Sequence, residues 1–265
     1  MSTVVSPDGT AVAYSKVGSG PALVLVDGAL CYRAFGPMKN LATALAPNFT
    51  VYYYDRRGRG ETGGNENWTL EREIDDIGVL LKEAGGEAFL FGASSGAVVA
   101  LEAAARLSGV KKIAVYEPPF IVDDTHPARP DDYIENMDAM IAAGKPGDAL
   151  QTFMKTVGTP GFAITIMKLT PVWKKLKAVA HTLPNDLRAL GDTGAGKPLP
   201  VDRWTSATMP ALAIDGGKSP VYMRNGVRSL SEILPDAEYR TLEGQTHMVK
   251  AAVVAPVLVE FFTRG

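Results

Sequence analysis

The chain has 265 residues, 46% of them hydrophobic and 21% charged, with a formal net charge of −2. That composition suits a soluble globular protein with enough apolar material for one large core. It excludes a basic nucleic-acid footprint, since no lysine- and arginine-rich tract is interleaved with aromatics, and no segment reads as a basic membrane-binding helix. No apolar run approaches the roughly 18 residues of a membrane span, and no basic-then-apolar leader opens the sequence, so the expectation is a cytoplasmic protein acting on a small molecule. The single cysteine, Cys31, rules out an internal disulfide. His126, His181 and His247 are scattered with no cysteine beside them, so neither a metal nor a cofactor is expected. Nothing in the sequence fixes the oligomeric state.

In chain order, short apolar runs recur as "PALVLVDG", "FTVYYYDRRG", "EAFLFGAS", "KKIAVYEPP" and "MPALAIDGG", each stopped by Gly, Pro or Asp. Continuous runs of this kind suit strands buried on both faces. Helical spacing follows over 69–82, 95–107, 222–234 and 248–262, and the alternation of the two patterns predicts a mainly parallel sheet covered on both sides. Between Glu117 and Met209 no strand is predicted. Residues 120–205 read as several helices separated by "GKPGD", "VGTPG", "TLPND" and "GDTGAGKPLP", a helical lid inserted into a core made of 1–119 and 206–265.

The chemistry centres on Gly92-Ala93-Ser94-Ser95-Gly96, a G-x-S-x-G turn between a predicted strand and an alanine-rich helix. Small residues two positions either side of Ser94 permit a sharp turn, and the helix that follows directs its N-terminal amides at the serine oxygen. The spacing makes Ser94 the candidate nucleophile, and Ser95 a donor of a backbone N–H. A serine hydroxyl needs a base, and His247 lies in a glycine-bearing loop just before the last helix.

With these residues in hand, the chain resembles the α/β-hydrolase fold superfamily over nearly its whole length. "VLVDGAL" is similar to the strand and oxyanion turn, "YYYDRRGRGET" to the loop after the next strand, "MPALAIDGGKSP" to the late strand that usually bears the acid, and "EGQTHMV" to the histidine loop. The resemblance implies a three-layer α/β-hydrolase fold and a serine esterase with a Ser–acid–His triad. It departs from the pattern at the acid, because Ser219 occupies the usual position. Glu117, at the end of "IAVYE", matches the alternative placement found in relatives such as haloalkane dehalogenases, and Asp215 is the reserve. The implied oxyanion donors are the amides of Ala29 and Ser95, with Asp27 standing where the family usually has histidine. Leu30, Cys31 and Tyr32 are expected to line the pocket floor, with Cys31 as inert packing. His126 and His181 are read as structural, and "YDRRGRGETGG" as a support loop.

Met137, Met140, Phe153, Met154, Phe162, Met167 and Trp173 give the predicted lid an apolar set, which suggests a small, largely uncharged ester, lactone or thioester. Two rivals stay open at this level. One is a carbon–carbon bond hydrolase on the same triad, because one fold hosts many chemistries. The other is a ligand receptor without turnover, motivated by Ser219.

Overall fold

A computed structural model describes residues 2–64 and 66–264; Met1, Asn65 and Gly265 lie outside the described residues. The chain opens with two strands, β1 (Ser2–Val5) and β2 (Ala11–Val17), which the sequence patterns above did not pick out. It continues through β3 (Ala22–Val26), α1 (Met38–Leu45), β4 (Thr50–Tyr54), α2 (Leu70–Glu83), β5 (Ala88–Ala93), α3 (Ser95–Arg106) and β6 (Val110–Tyr116). A helical insertion follows: α4 (Tyr133–Ala142), α5 (Pro146–Thr156), α6 (Gly161–Met167), α7 (Pro171–Val179) and α8 (Leu183–Leu190). The chain then returns to the sheet with β7 (Ala211–Gly216), α9 (Val221–Ile233), β8 (Ala237–Leu242) and α10 (Ala251–Thr263).

The eight strands form one sheet in the order β1-β2-β4-β3-β5-β6-β7-β8. β1 and β2 are antiparallel to their neighbours, and the six from β4 to β8 run parallel. β1, at the sheet edge, is mostly exposed and β2 mixes buried, half-buried and exposed residues, a weaker signal than the continuous apolar runs of the interior strands. β8 (AEYRTL) is polar for the same reason: it closes the other edge.

Successive residues of β5 face opposite sides. Leu90 joins the core under α2 and α3, and Phe91 joins the one under α1 and α10. Both are fully buried, and each such side chain stabilises the fold by about 1.5–3 kcal/mol relative to exposure. Helix α2 begins where Thr69 accepts a hydrogen bond from the Arg72 amide, capping one of the free N-terminal N–H groups.

The parallel strands place their C-terminal ends along one rim. Ala93 of β5 pairs with Tyr116 of β6, and Tyr116 pairs with Ile214 of β7. The next residues along these three strands, Ser94, Glu117 and Asp215, therefore stand side by side.

Candidate active site

Ser94 has φ 54° and ψ −129°, a region that a residue with a Cβ rarely enters. The flanking glycines explain how the turn is held. A Cβ on Gly92 would lie 2.6 Å from the Ala97 Cα, and one on Gly96 would lie 2.4 Å from the Asp27 carbonyl oxygen. Only glycine lets the helix and the β3 turn close on the serine. The Ser94 amide donates to the Tyr116 carbonyl at 2.9 Å, tying the strained residue to the next strand.

The structure brings Ser94, His247 and Glu117 together. The Ser94 Oγ lies 3.2 Å from His247 Nε2, and His247 Nδ1 lies 2.8 Å from Glu117 Oε2. An ionised carboxylate only accepts, so Nδ1 carries the proton and Nε2 is left to accept from the serine hydroxyl. Glu117 is itself strained, at φ 46°, and fully buried; its other oxygen accepts from the Gly216 amide at 2.6 Å. That bond fixes the carboxylate plane.

Asp215 is directed elsewhere. Its Oδ2 accepts from the Tyr239 hydroxyl at 2.6 Å and faces the Arg224 guanidinium at 3.4 Å. Ser219, in the usual acid position, is buried and turned back on its own loop, where its amide donates to the Gly216 carbonyl.

Ala29 and Ser95 both line the cavity that contains Ser94 and His247. Ser95 is the first residue of α3, so its N–H has no acceptor within the helix. The Ala29 amide has no acceptor among the described residues. Its direction is set from behind: Arg59 Nη1 donates to the Gly28 carbonyl at 2.6 Å, and because a trans peptide points its C=O and N–H oppositely, the Ala29 N–H faces away from Arg59.

Arg59 belongs to a buried charge network that the sequence reading treated only as loop support. Arg56 makes a two-pronged contact with Glu73 of α2, at 2.8 and 2.9 Å, and reaches Asp186 of α8 at 2.8 Å. Asp186 also accepts from Arg59 and, at 2.8 Å, from the Ser95 hydroxyl. Burial pushes the Asp186 carboxyl up, but Arg59, Arg56 and the Ser95 hydroxyl outweigh it and hold it below the ordinary value. One carboxylate of the helical insertion is thus fastened, through Arg59, to the turn after β3 and, directly, to the start of α3. Sequence reasoning missed it because "PND" looks like any helix start.

The expected pocket floor is corrected. Leu30, Cys31 and Tyr32 do not line the cavity. Leu30, with φ 63°, is buried among Leu150, Met154 and Leu183 of the insertion, and Tyr32 pairs with Phe35 through their backbones and at 5.9 Å between rings. The chain turns through a left-handed conformation at Leu30, which carries the next side chains away from the serine. Burial and the neighbouring Asp27 push the Cys31 thiol well up, which favours the neutral thiol.

The apolar lid set is corrected as well. Phe153 lines the cavity, but Met137, Met140, Met154, Phe162, Met167 and Trp173 do not. Met137 and Met154 are core packing, while Phe162 is 72% exposed. Conversely His126, read as structural, does line the cavity; its ring packs on Tyr222 at 4.2 Å and its Nδ1 hydrogen-bonds the Pro127 carbonyl at 2.8 Å. His181 stands outside that cavity. The chamber has a volume of about 550 Å³ and also exposes Arg129, Tyr133 and Lys218, so it is not the uncharged pocket expected. Among the described residues no cluster of three or more His, Cys, Asp or Glu is placed to hold a metal, and no helix is long and apolar enough to cross a membrane.

A mostly parallel sheet with helices on both faces, a serine on a strained strand-to-helix turn and a histidine loop before the last helix define an α/β hydrolase. Residues 18–256 match the model of the alpha/beta hydrolase family, and the chain belongs to that family. A solved alpha/beta hydrolase from Sphaerobacter thermophilus DSM 20745 is 47% identical, covering 99% of this chain and 100% of its own, with a TM-score of 0.91. An enol-lactonase from Burkholderia xenovorans LB400 shares the fold at a TM-score of 0.72 and 18% identity, covering 99% of this chain and 100% of its own. The uncharacterized hydrolase YraK of Bacillus subtilis (strain 168) is 32% identical over 122 residues, which span 44% of this chain and 44% of that relative's length.

Proposed function

We propose that this hydrolase cleaves a carboxylic ester, in open-chain, lactone or thioester form, through an acyl-enzyme on Ser94. The observation that carries the reading is the continuous contact from Glu117 through His247 to Ser94, at 2.8 and 3.2 Å, beside two amides with no acceptor among the described residues. His247 Nε2 takes the Ser94 proton as Oγ adds to the carbonyl carbon. The Ala29 and Ser95 N–H groups receive the charge that develops on the carbonyl oxygen. Glu117 stabilises the imidazolium, which then protonates the leaving alcohol or thiol. Water, deprotonated by the same histidine, attacks the acyl-serine and releases the acid.

The helical insertion, assigned here to 120–205, acts as the lid of the site and brings Phe153 and Leu187 to its wall. The carbon–carbon hydrolase reading needs the same groups and has no observation that favours it. The receptor reading was motivated by Ser219, and a carboxylate already on His247 Nδ1 removes that motive.

The test is intact-mass spectrometry after treatment with a fluorophosphonate, alongside turnover of a chromogenic ester. We expect one adduct on the wild type and none on Ser94→Ala, with turnover lost by a factor of about 10³ or more in the variant. An adduct that survives the substitution would overturn the assignment.

A further inference from the structure

Several arginines have shielded guanidinium nitrogens among the described residues. Arg56 meets Glu73 and Asp186, Arg57 meets Asp8 and Asp76, Arg59 meets Asp186, and Arg224 faces Asp215 at 3.4 Å. Arg129 makes no ion pair and no side-chain hydrogen bond among the described residues, although its Nη2 is fully shielded from solvent. Burial pulls the Arg129 pKa down, against weak support from Tyr133 and Tyr222, but a guanidinium stays protonated at any physiological pH. Arg129 is half-buried, but its shielded Nη2 has no acceptor among the described residues, and a shielded donor on a charged group left unpaired costs free energy that a counter-ion would recover.

The side chain is held in place. The Arg129 amide donates to the Gly194 carbonyl at 3.0 Å, and the guanidinium lies flat on Gly194, where a Cβ would come within 1.9 Å of Nη2. Arg129 shares the wall of the chamber with Ser94 and His247, and with Tyr133, whose buried hydroxyl also has no partner of good geometry. The carboxylate in the same wall, Asp186, is fully used by Arg56, Arg59 and Ser95.

Building on the hydrolase reading above, we propose that Arg129 is a specificity residue for a substrate whose acyl chain ends in a carboxylate, which seats on the guanidinium while its ester carbonyl lies at Ser94. A single planar guanidinium next to a phenol matches one carboxylate in charge and donor geometry. The apolar residues of the same chamber, Phe153, Leu187 and Leu190, offer a surface for the connecting methylenes. Half-esters and lactones of small dicarboxylic acids are the class that fits. Binding energy from this remote group raises kcat/KM, because the chain is delivered with its carbonyl in line for attack.

The test compares 4-nitrophenyl hemiglutarate with 4-nitrophenyl hexanoate, an uncharged ester of matching length. Wild type is expected to favour the anionic ester by about tenfold or more in kcat/KM, and Arg129→Gln to abolish that preference, mainly through KM. Arg129→Lys, which keeps the charge without the fork, should retain part of it. Should Arg129→Gln fold poorly, Gly194→Ala displaces the guanidinium with the charge intact and is expected to weaken the preference likewise. Glutarate is also expected to raise the melting temperature of Ser94→Ala protein, and this effect should vanish when Arg129→Gln is added. Equal handling of the two esters by wild type, or a preference that survives both Arg129→Gln and Gly194→Ala, overturns the carboxylate site and leaves the hydrolase standing. Glutarate stabilisation that depends on Arg129, with neither ester turned over, supports the site and counts against the esterase.

Discussion

At the scale of the residue, backbone strain gathers around Ser94. The described non-glycine residues with positive φ are Leu30, Ser94 and Glu117; one sits in the turn after β3 and the other two in the Ser–His–Glu contact chain. Such conformations cost of order 1–3 kcal/mol each and persist only where surrounding structure fixes them. Here the strand-end bonds of Ser94 to Tyr116 and of Glu117 to Ile214 do so. Glu117→Gln keeps an oxygen for the Gly216 amide but offers an N–H to His247 Nδ1, which forces the wrong tautomer. We expect a loss of about 10³–10⁴ in kcat with the fold intact, measured by steady-state kinetics and circular dichroism. Asp215→Asn retains an oxygen for Tyr239 and should change kcat by less than about tenfold. The reverse ranking would move the acid to Asp215.

At the scale of the element, the joint between core and insertion is electrostatic. Asp186 on α8 meets Arg56 and Arg59 from the loop after β4 and Ser95 at the start of α3, all nearly or wholly buried. Removing one member of a buried ionic cluster leaves uncompensated charge and costs about 3–5 kcal/mol. Asp186→Ala is therefore expected to lower the urea midpoint strongly. Turnover should fall too, because Arg59 loses its anchor and with it the hold on the Gly28 peptide. An unchanged midpoint would show that apolar packing of Leu30 against Leu150 and Leu183 is enough to dock the insertion.

At the scale of the whole molecule, two buried carboxyls set opposite slopes of stability with pH. Burial raises Asp27 from 3.8 to about 7, so its contribution is complete below the unfolded value and is lost as pH rises through about 7. Asp186 is held low, so its contribution is present above the unfolded value and is lost as pH falls. Thermal stability should peak on the mildly acidic side. Asp27→Asn removes the ionisation, so its melting temperature relative to wild type should be more favourable at about pH 8 than at about pH 5, read by scanning calorimetry. A difference independent of pH would mean that Asp27 is ionised at low cost in the fold.

The sequence by itself determined the interior strands, the long helices and the elbow, because continuous apolar runs, helical spacing and a glycine-framed serine are local consequences of burial and backbone sterics. That Ser94 and His247 would approach each other could be anticipated for that reason, and Glu117 came from the resemblance, in which some relatives carry the acid at the end of that strand. Strands β1, β2 and β8 could not be anticipated, since a half-exposed strand carries a mixed pattern. What lines the chamber was decided only by the tertiary structure. Leu30 turns away through its positive φ, Met137 and Met154 of the insertion pack inward, and His126, Arg129 and Asp186 arrive from loop and helix positions that carry no local signature. Whether a buried charge has a partner is a fact of three-dimensional proximity, so Asp186 with two arginines and Arg129 with no carboxylate look alike until the chain is folded.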